Sequence, residues 1–190
     1  MRVLLDACVL YPTVMREMLM GAASTGAYTP LWSERILAEW ARAAVKLGDV
    51  GAAQAEAEIV MLRAAWPEAE LAVDDGLTQP LWLPDENDIH VLAAAISGKA
   101  GAICTLNAKD FPRGLLGEHG LVRTDPDTML TGFWQDDPAA IEAVGEKVLQ
   151  QARDLSGAPW EMRKLLKKAR LPRLAKVLSR PSGTGASSAP

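Results

Sequence analysis

The sequence predicts an α/β protein built on a parallel sheet, with an all-helical addition at its C-terminal end. Three observations predict it. Short apolar runs alternate with segments of helical period up to about residue 135, the order that parallel βαβ units require. Two of these runs, at residues 2–5 and 102–106, have no polar alternation, as suits strands covered by helices on both faces. After Asp136, Asp137 and Pro138 only helical spacing remains.

Length and composition set the frame. A chain of 190 residues holds one domain with a sizeable core plus an appendage. Hydrophobic residues make up 49% and charged residues 23%, which is ordinary for a soluble globular protein. No apolar run approaches the ~20 residues of a membrane span. The opening MRVLLDACVL has one basic residue and an Asp within its apolar part, so a secretory signal is not expected and the protein is read as cytoplasmic. Cys8 and Cys104 both lie in apolar runs and read as buried free thiols, not as a disulfide or a zinc site.

The elements follow in order. Residues 2–5 form a strand ending in Asp6; in residues 13–24, Val14, Met18, Leu19 and Ala22 share one helical face, and Gly26 stops that helix. A short extended piece at 28–31 precedes a helix from Ser33, its N-cap, to about Leu47, with Ile36, Leu37, Trp40 and Ala44 facing inward. Glu39 falls beside that face and can look along the sheet edge. A helix over 52–66 ends at Pro67, a brief strand covers 71–73, and Asp74, Asp75 and Gly76 form a loop. Residues 81–112, LWLPDENDIHVLAAAISGKAGAICTLNAKDFP, carry a helix starting near Asp85, a Gly break, the 102–106 strand and an acidic loop ending at Asp110. Asp85 reads as the N-cap and Asp88 as the acid three positions later. A last strand spans 120–123 and a short helix runs from Thr124 to Phe133; the crossovers are expected to be right-handed. Ile141, Val144, Val148 and Leu149 then mark one helix, with two shorter ones beginning at Trp160 and Leu171. The tail 181–190, PSGTGASSAP, is expected to be disordered.

Charge is unevenly spread. Residues 1–159 carry 12 Lys and Arg against 23 Asp and Glu, net −11, whereas residues 160–190 carry 8 against 1, net +7. An acidic body repels polyphosphate unless cations intervene, while the basic helices attract it. Arg163, Lys164, Lys167, Lys168, Arg170, Arg173 and Lys176 are the candidate RNA-binding or partner-binding residues of that basic stretch, against the alternative of a solvated charged face. Trp160 beside them reads first as a packing residue.

Four acids stand at the ends of elements that a parallel sheet gathers: Asp6, Glu39, Asp88 and Asp110. Carboxylates at ~5 Å repel by about 3 kcal/mol at an effective dielectric of ~20, so such a cluster calls for a divalent cation. Oxygen-only donors suit Mg2+ or Mn2+, and a site of that kind serves phosphodiester cleavage by activating water and stabilising leaving-group charge. His90 and His119 have no nucleophile motif beside them and read as packed or surface residues.

The segments LLDACVLYP, ILAEW, DENDIHVLAAA and TLNAKDF, in that order and spacing, resemble PIN-domain ribonucleases of the type that includes VapC toxins. The resemblance covers about residues 1–135 and implies a PIN-like three-layer fold, a short parallel sheet flanked by helices, with 136–180 as a helical C-terminal extension carried by longer members. It implies that Asp6, Glu39, Asp88 and Asp110 hold magnesium and form the catalytic site. Thr105 and Asn107 match the polar residues of the last motif and, by the resemblance, would orient ligands or substrate. It further implies an RNA substrate, an antitoxin protein as partner and a homodimer. Two alternatives remain: a non-catalytic RNA-binding or interaction protein of the same fold, and a haloacid-dehalogenase-like phosphotransferase. The latter needs a second Asp two residues after the first, where this chain has Cys8.

Overall fold

The computed structural model describes residues 1–73, 76 and 81–179. The expected loop at Asp74 and Asp75 and the tail 181–190 lie outside those residues. Five strands, β1 (Arg2–Leu5), β2 (Thr29–Ser33), β3 (Glu70–Leu71), β4 (Ala102–Cys104) and β5 (Val122–Thr124), form one sheet in the order β3-β2-β1-β4-β5. Every pairing is parallel, with Leu4 opposite Leu31 on one side and Ile103 on the other. Val3, Leu4 and Leu5 of β1 and Ile103 and Cys104 of β4 are inaccessible to solvent. That double-sided cover is why these strands read as unbroken apolar runs.

Helices supply the cover. A single turn α1 (Ala7–Leu10) leads to α2 (Thr13–Ser24); α3 (Glu34–Ala44) and α4 (Gly48–Ala65) link β2 to β3. The chain returns through α5 (Ile89–Ser97) to β4, and α6 (Arg113–Glu118) links β4 to β5. Because β1, β2 and β3 step one way across the sheet and β4 and β5 the other, right-handed crossovers put α5 on the opposite face from α2. α5 packs on β1, β2 and β4 through fully buried Val91, Leu92, Ala94 and Ala95. α3 is amphipathic as expected: Ile36, Leu37, Trp40 and Ala44 are buried, and the Ser33 hydroxyl accepts from Ile36 N–H at 3.3 Å.

The C-terminal helices α7 (Pro126–Asp136), α8 (Pro138–Ser156), α9 (Met162–Lys168) and α10 (Pro172–Leu178) share the same apolar core. α8 lies on α2 so closely that a Cβ on Gly21 would stand 2.4 Å from a methyl of Val144. Buried Asp127 of α7 accepts the backbone N–H groups of Arg173 and Leu174, each at 2.9 Å. These are first-turn donors of α10 with no partner inside their own helix, so α7 caps α10 across space. The extension is thereby fixed to the sheet domain by both apolar packing and a capping carboxylate.

Candidate active site

β1 and β4 are neighbours whose outgoing connections run to opposite sides of the sheet, and the crevice beyond their C-terminal ends is where such sheets bind ligands. Asp6 follows β1 at that point and is buried. Its backbone N–H donates to Cys104 O at 3.1 Å, extending the β1–β4 ladder by one bond. Its carboxylate is held by β4's continuation: Thr105 Oγ1 donates to Oδ2 at 2.6 Å, and Cys8 Sγ donates to the same oxygen at 3.0 Å. Thr105 Oγ1 in turn accepts Asn107 N–H at 2.9 Å, and Leu106 N–H points to Cys8 Sγ at 3.2 Å. Burial, followed by the neighbouring Asp6 charge, pushes the Cys8 thiol up to about 12, so it remains a protonated donor to Asp6. Cys104 is a buried free thiol as expected, whereas Cys8 is half-buried and belongs to this network.

The turn before α5 supplies two further acids. Glu86–Asp88 form a 3-10 turn, and Asp85 caps it by accepting Asn87 N–H at 2.9 Å; Asp88 sits at the start of α5 and makes no side-chain cap bond. Its carboxylate is left to face other partners. Asn107 Nδ2 donates to Asp88 Oδ2 at 3.2 Å, and one carboxylate oxygen from each of Asp85, Asp88 and Asp110 lies within 4.8 Å of the others. Desolvation, then the charges of Asp6, Asp85, Asp110 and Glu39, raise the Asp88 carboxyl from 3.8 to about 6. Both acidic halves of the chain therefore act on this one group. Asp110 is placed by its surroundings: Phe111 beside it is fully buried, and the Arg123 guanidinium on β5 donates to Ala108 O and, at 2.9 Å, to Phe111 O.

Glu39 projects from α3 with about a quarter of its side chain exposed, and its Oε1 has two arginine neighbours, Arg35 at 3.7 Å and Arg42 at 3.6 Å, with His90 Nε2 at 2.8 Å. The His90 contact is close but lacks hydrogen-bond alignment, and both ring nitrogens of this buried side chain are without a hydrogen-bond partner among the described residues. Glu39 thus has the helical arginine neighbours that its spacing allows and also a link to α5.

Of the four acids named from the sequence, Asp6, Glu39 and Asp110 act electrostatically on the fourth, Asp88, with Thr105 and Asn107 as donors to Asp6 and Asp88. Among the described residues, the carboxylates with oxygens within 4.8 Å of one another are those of Asp85, Asp88 and Asp110, so Asp85, which caps the turn, also stands beside the other two. Cys8, His90 and Arg123 also belong to this region, and no periodicity marks them, since each acts across the chain. Of the seven basic residues, Lys164 pairs with Glu161 at 2.9 Å, Arg173 donates to Thr128 Oγ1 at 2.7 Å, and Lys168 lies 5.0 Å from the Trp160 ring centroid. Arg163, Lys167, Arg170 and Lys176 are exposed, with no side-chain hydrogen bond or ion pair among the described residues.

Comparison with known families gives one match: the family model described as PIN domain aligns with residues 2–109, more than half of the chain. The matched span contains Asp6, Glu39, Asp85, Asp88, Thr105 and Asn107 and stops one residue before Asp110. No curated protein and no solved structure matches the chain.

Proposed function

The chain belongs to the PIN-domain family, and from that premise we propose that it is a divalent-cation-dependent endoribonuclease whose site is built by Asp6, Glu39, Asp85, Asp88 and Asp110. The observation that carries the reading is the carboxylate trio with oxygens within 4.8 Å of one another, on which Asp6 and Glu39 also act. Such a cluster costs folding energy through mutual repulsion unless a cation is present, and its donors are all hard oxygens. That all-oxygen donor set fits Mg2+ or Mn2+.

Bound there, the cation would supply Lewis-acid activation of water and neutralisation of charge on the leaving oxygen. The protein's own part is orientation. Thr105 and Cys8 fix one oxygen of Asp6, and Asn107 fixes one oxygen of Asp88, so the remaining oxygens are aimed without rotamer search. His90 Nε2 lies 2.8 Å from Glu39 Oε1 and so brings α5 against the Glu39 side chain, which Arg35 and Arg42 flank on α3. Basic residues of the extension then offset the charge of the acidic body for an RNA chain. A toxin role, with an antitoxin protein as inhibitor and a second copy completing a homodimer, belongs to the same proposal and rests on the resemblance of the motifs.

The test is a labelled single-stranded oligoribonucleotide incubated with the purified protein. Cleavage in Mg2+, loss of cleavage in EDTA and recovery on adding Mg2+ or Mn2+ are expected. Equal cleavage with and without chelator would remove the cation from the account, and intact RNA throughout would leave a binding protein.

A further inference from the structure

Beside the carboxylates lies an open groove of about 650 Å³, bordered by Tyr11, Pro12, Trp40 and Leu106 on its apolar wall and by Glu39, Asn107 and Arg170 on its polar one. Arg170 alone among these residues comes from the C-terminal extension. Its backbone is unusual: φ is +63°, one of two non-glycine residues among those described with a positive φ. The residue ends α9 in a Schellman motif, with Leu171 N–H bonded to Leu166 O at 2.9 Å and Arg170 N–H to Lys167 O at 3.1 Å. At this position glycine is the usual choice, because an L side chain is resisted in the left-handed region. Here the chain keeps a long cationic side chain instead. Leu171 and Leu166 are fully buried, so the turn that carries Arg170 is anchored in the core, while the guanidinium makes no hydrogen bond or ion pair among the described residues. The anchored turn therefore presents an exposed guanidinium, unpaired among the described residues, at a groove that Glu39 and Asn107 also line.

Resting on the nuclease reading above, we propose that Arg170 is the point at which the helical extension enters the active site, gripping an RNA phosphate next to the scissile one while that nucleotide's base lies on the Tyr11, Pro12 and Leu106 wall. The other partners within the groove agree. Five guanidinium donors in a fixed fork suit two phosphate oxygens. Arg35 and Arg42 are drawn to Glu39, which leaves Arg170, the basic residue among the described residues that line the groove, to receive a phosphate there. Lys164, Lys168 and Arg173 are engaged elsewhere, which leaves them to act as general surface charge. The extension thus contributes one specific contact in addition to its diffuse positive field.

The experiment compares wild type with Arg170→Gly and Arg170→Lys in the full chain, measuring KM, kcat and salt dependence on a single-stranded oligoribonucleotide in Mg2+, alongside thermal unfolding. Arg170→Gly is expected to unfold at the same or a higher temperature, because glycine relieves the positive φ, yet to raise KM by about tenfold or more and lower the log–log salt slope by about one. Arg170→Lys is expected to keep the salt slope and recover only part of KM, since it retains the charge without the fork. An unchanged KM and salt slope for Arg170→Gly overturns the proposal while leaving the nuclease reading intact. So does a clear fall in its unfolding temperature, which would make Arg170 structural. If wild type leaves the RNA whole but binds it with an affinity that Arg170→Gly lowers tenfold, the contact stands and the nuclease reading fails.

Discussion

Asp88 is the side chain on which the site's electrostatics meet, and its raised carboxyl has a definite sign. A carboxyl whose folded value, about 6, exceeds its ordinary 3.8 favours the metal-free fold below about pH 4, and that contribution is lost as pH rises through 6. Replacing it with a neutral isostere removes the loss. Asp88→Asn is therefore expected to be more heat-stable than wild type in EDTA at pH 7, with the advantage shrinking toward pH 4; differential scanning at several pH values checks this. Equal stability across that range would mean the carboxylates do not crowd one another. The same proton competes with a cation, so Mg2+ affinity, followed by calorimetry, should fall steeply as pH drops below about 6. Thr105 provides a second residue-scale prediction. Thr105→Val removes the 2.6 Å donor to Asp6 and the acceptor of Asn107 N–H, and a lost ligand-orienting bond typically costs 10- to 100-fold, so cleavage should fall by roughly that factor, with a drop of a few degrees in unfolding temperature from the buried groups left unpaired.

At the scale of elements, the bond between α7 and α10 is the most exposed to test. Asp127 is buried and accepts two backbone N–H groups of α10, and Asp127→Ala leaves both without a partner. A cost of about 1–3 kcal/mol is expected, read as a drop of several degrees in thermal unfolding. Unchanged unfolding would show that α10 is held by its leucines alone. The same scale shows what the sequence discloses. Strands β1 and β4 were legible because cover on both faces leaves an unbroken apolar run, the inward face of α3 because one-sided burial leaves a helical period, and Ser33 capped as its position implied. Helix α4 begins at Gly48, four residues earlier than its apolar spacing suggests, since two glycines at its start look like a break. The 102–106 run is a strand only over Ala102–Cys104, with one further ladder bond from Thr105 N–H to Thr124 O at 3.1 Å, after which the chain turns toward Asp6. Helix α6 was invisible: a single turn and a half with one buried leucine carries no period. Acids after apolar runs were legible for the same reason as the strands, whereas Cys8, His90 and Arg123 depend on contacts across 12 to 98 residues of chain that no local pattern encodes.

For the molecule as a whole, an acidic body and a basic extension are one folded unit with one core, and no helix among the described residues is long and apolar enough to cross a membrane. Leu165, Leu166, Leu171 and Leu174 are buried in that core. Deleting residues 160–190 would remove side chains worth about 1.5–3 kcal/mol each, so the truncated chain is expected to lose its cooperative unfolding transition, not merely its RNA affinity. The charge is better tested with the core intact: replacing exposed Arg163, Lys167 and Lys176 by Gln together should leave unfolding within about 1 kcal/mol of wild type, weaken RNA binding and flatten its salt dependence. A salt slope equal to wild type would assign those cations to another partner. The central claim, that acids from both ends of the sheet domain build one cation-dependent RNA-cleaving site, is tested most directly by the cleavage rate of Asp88→Asn at saturating RNA and Mg2+. The account predicts a loss of at least ~100-fold with the fold retained; a rate equal to wild type would contradict it.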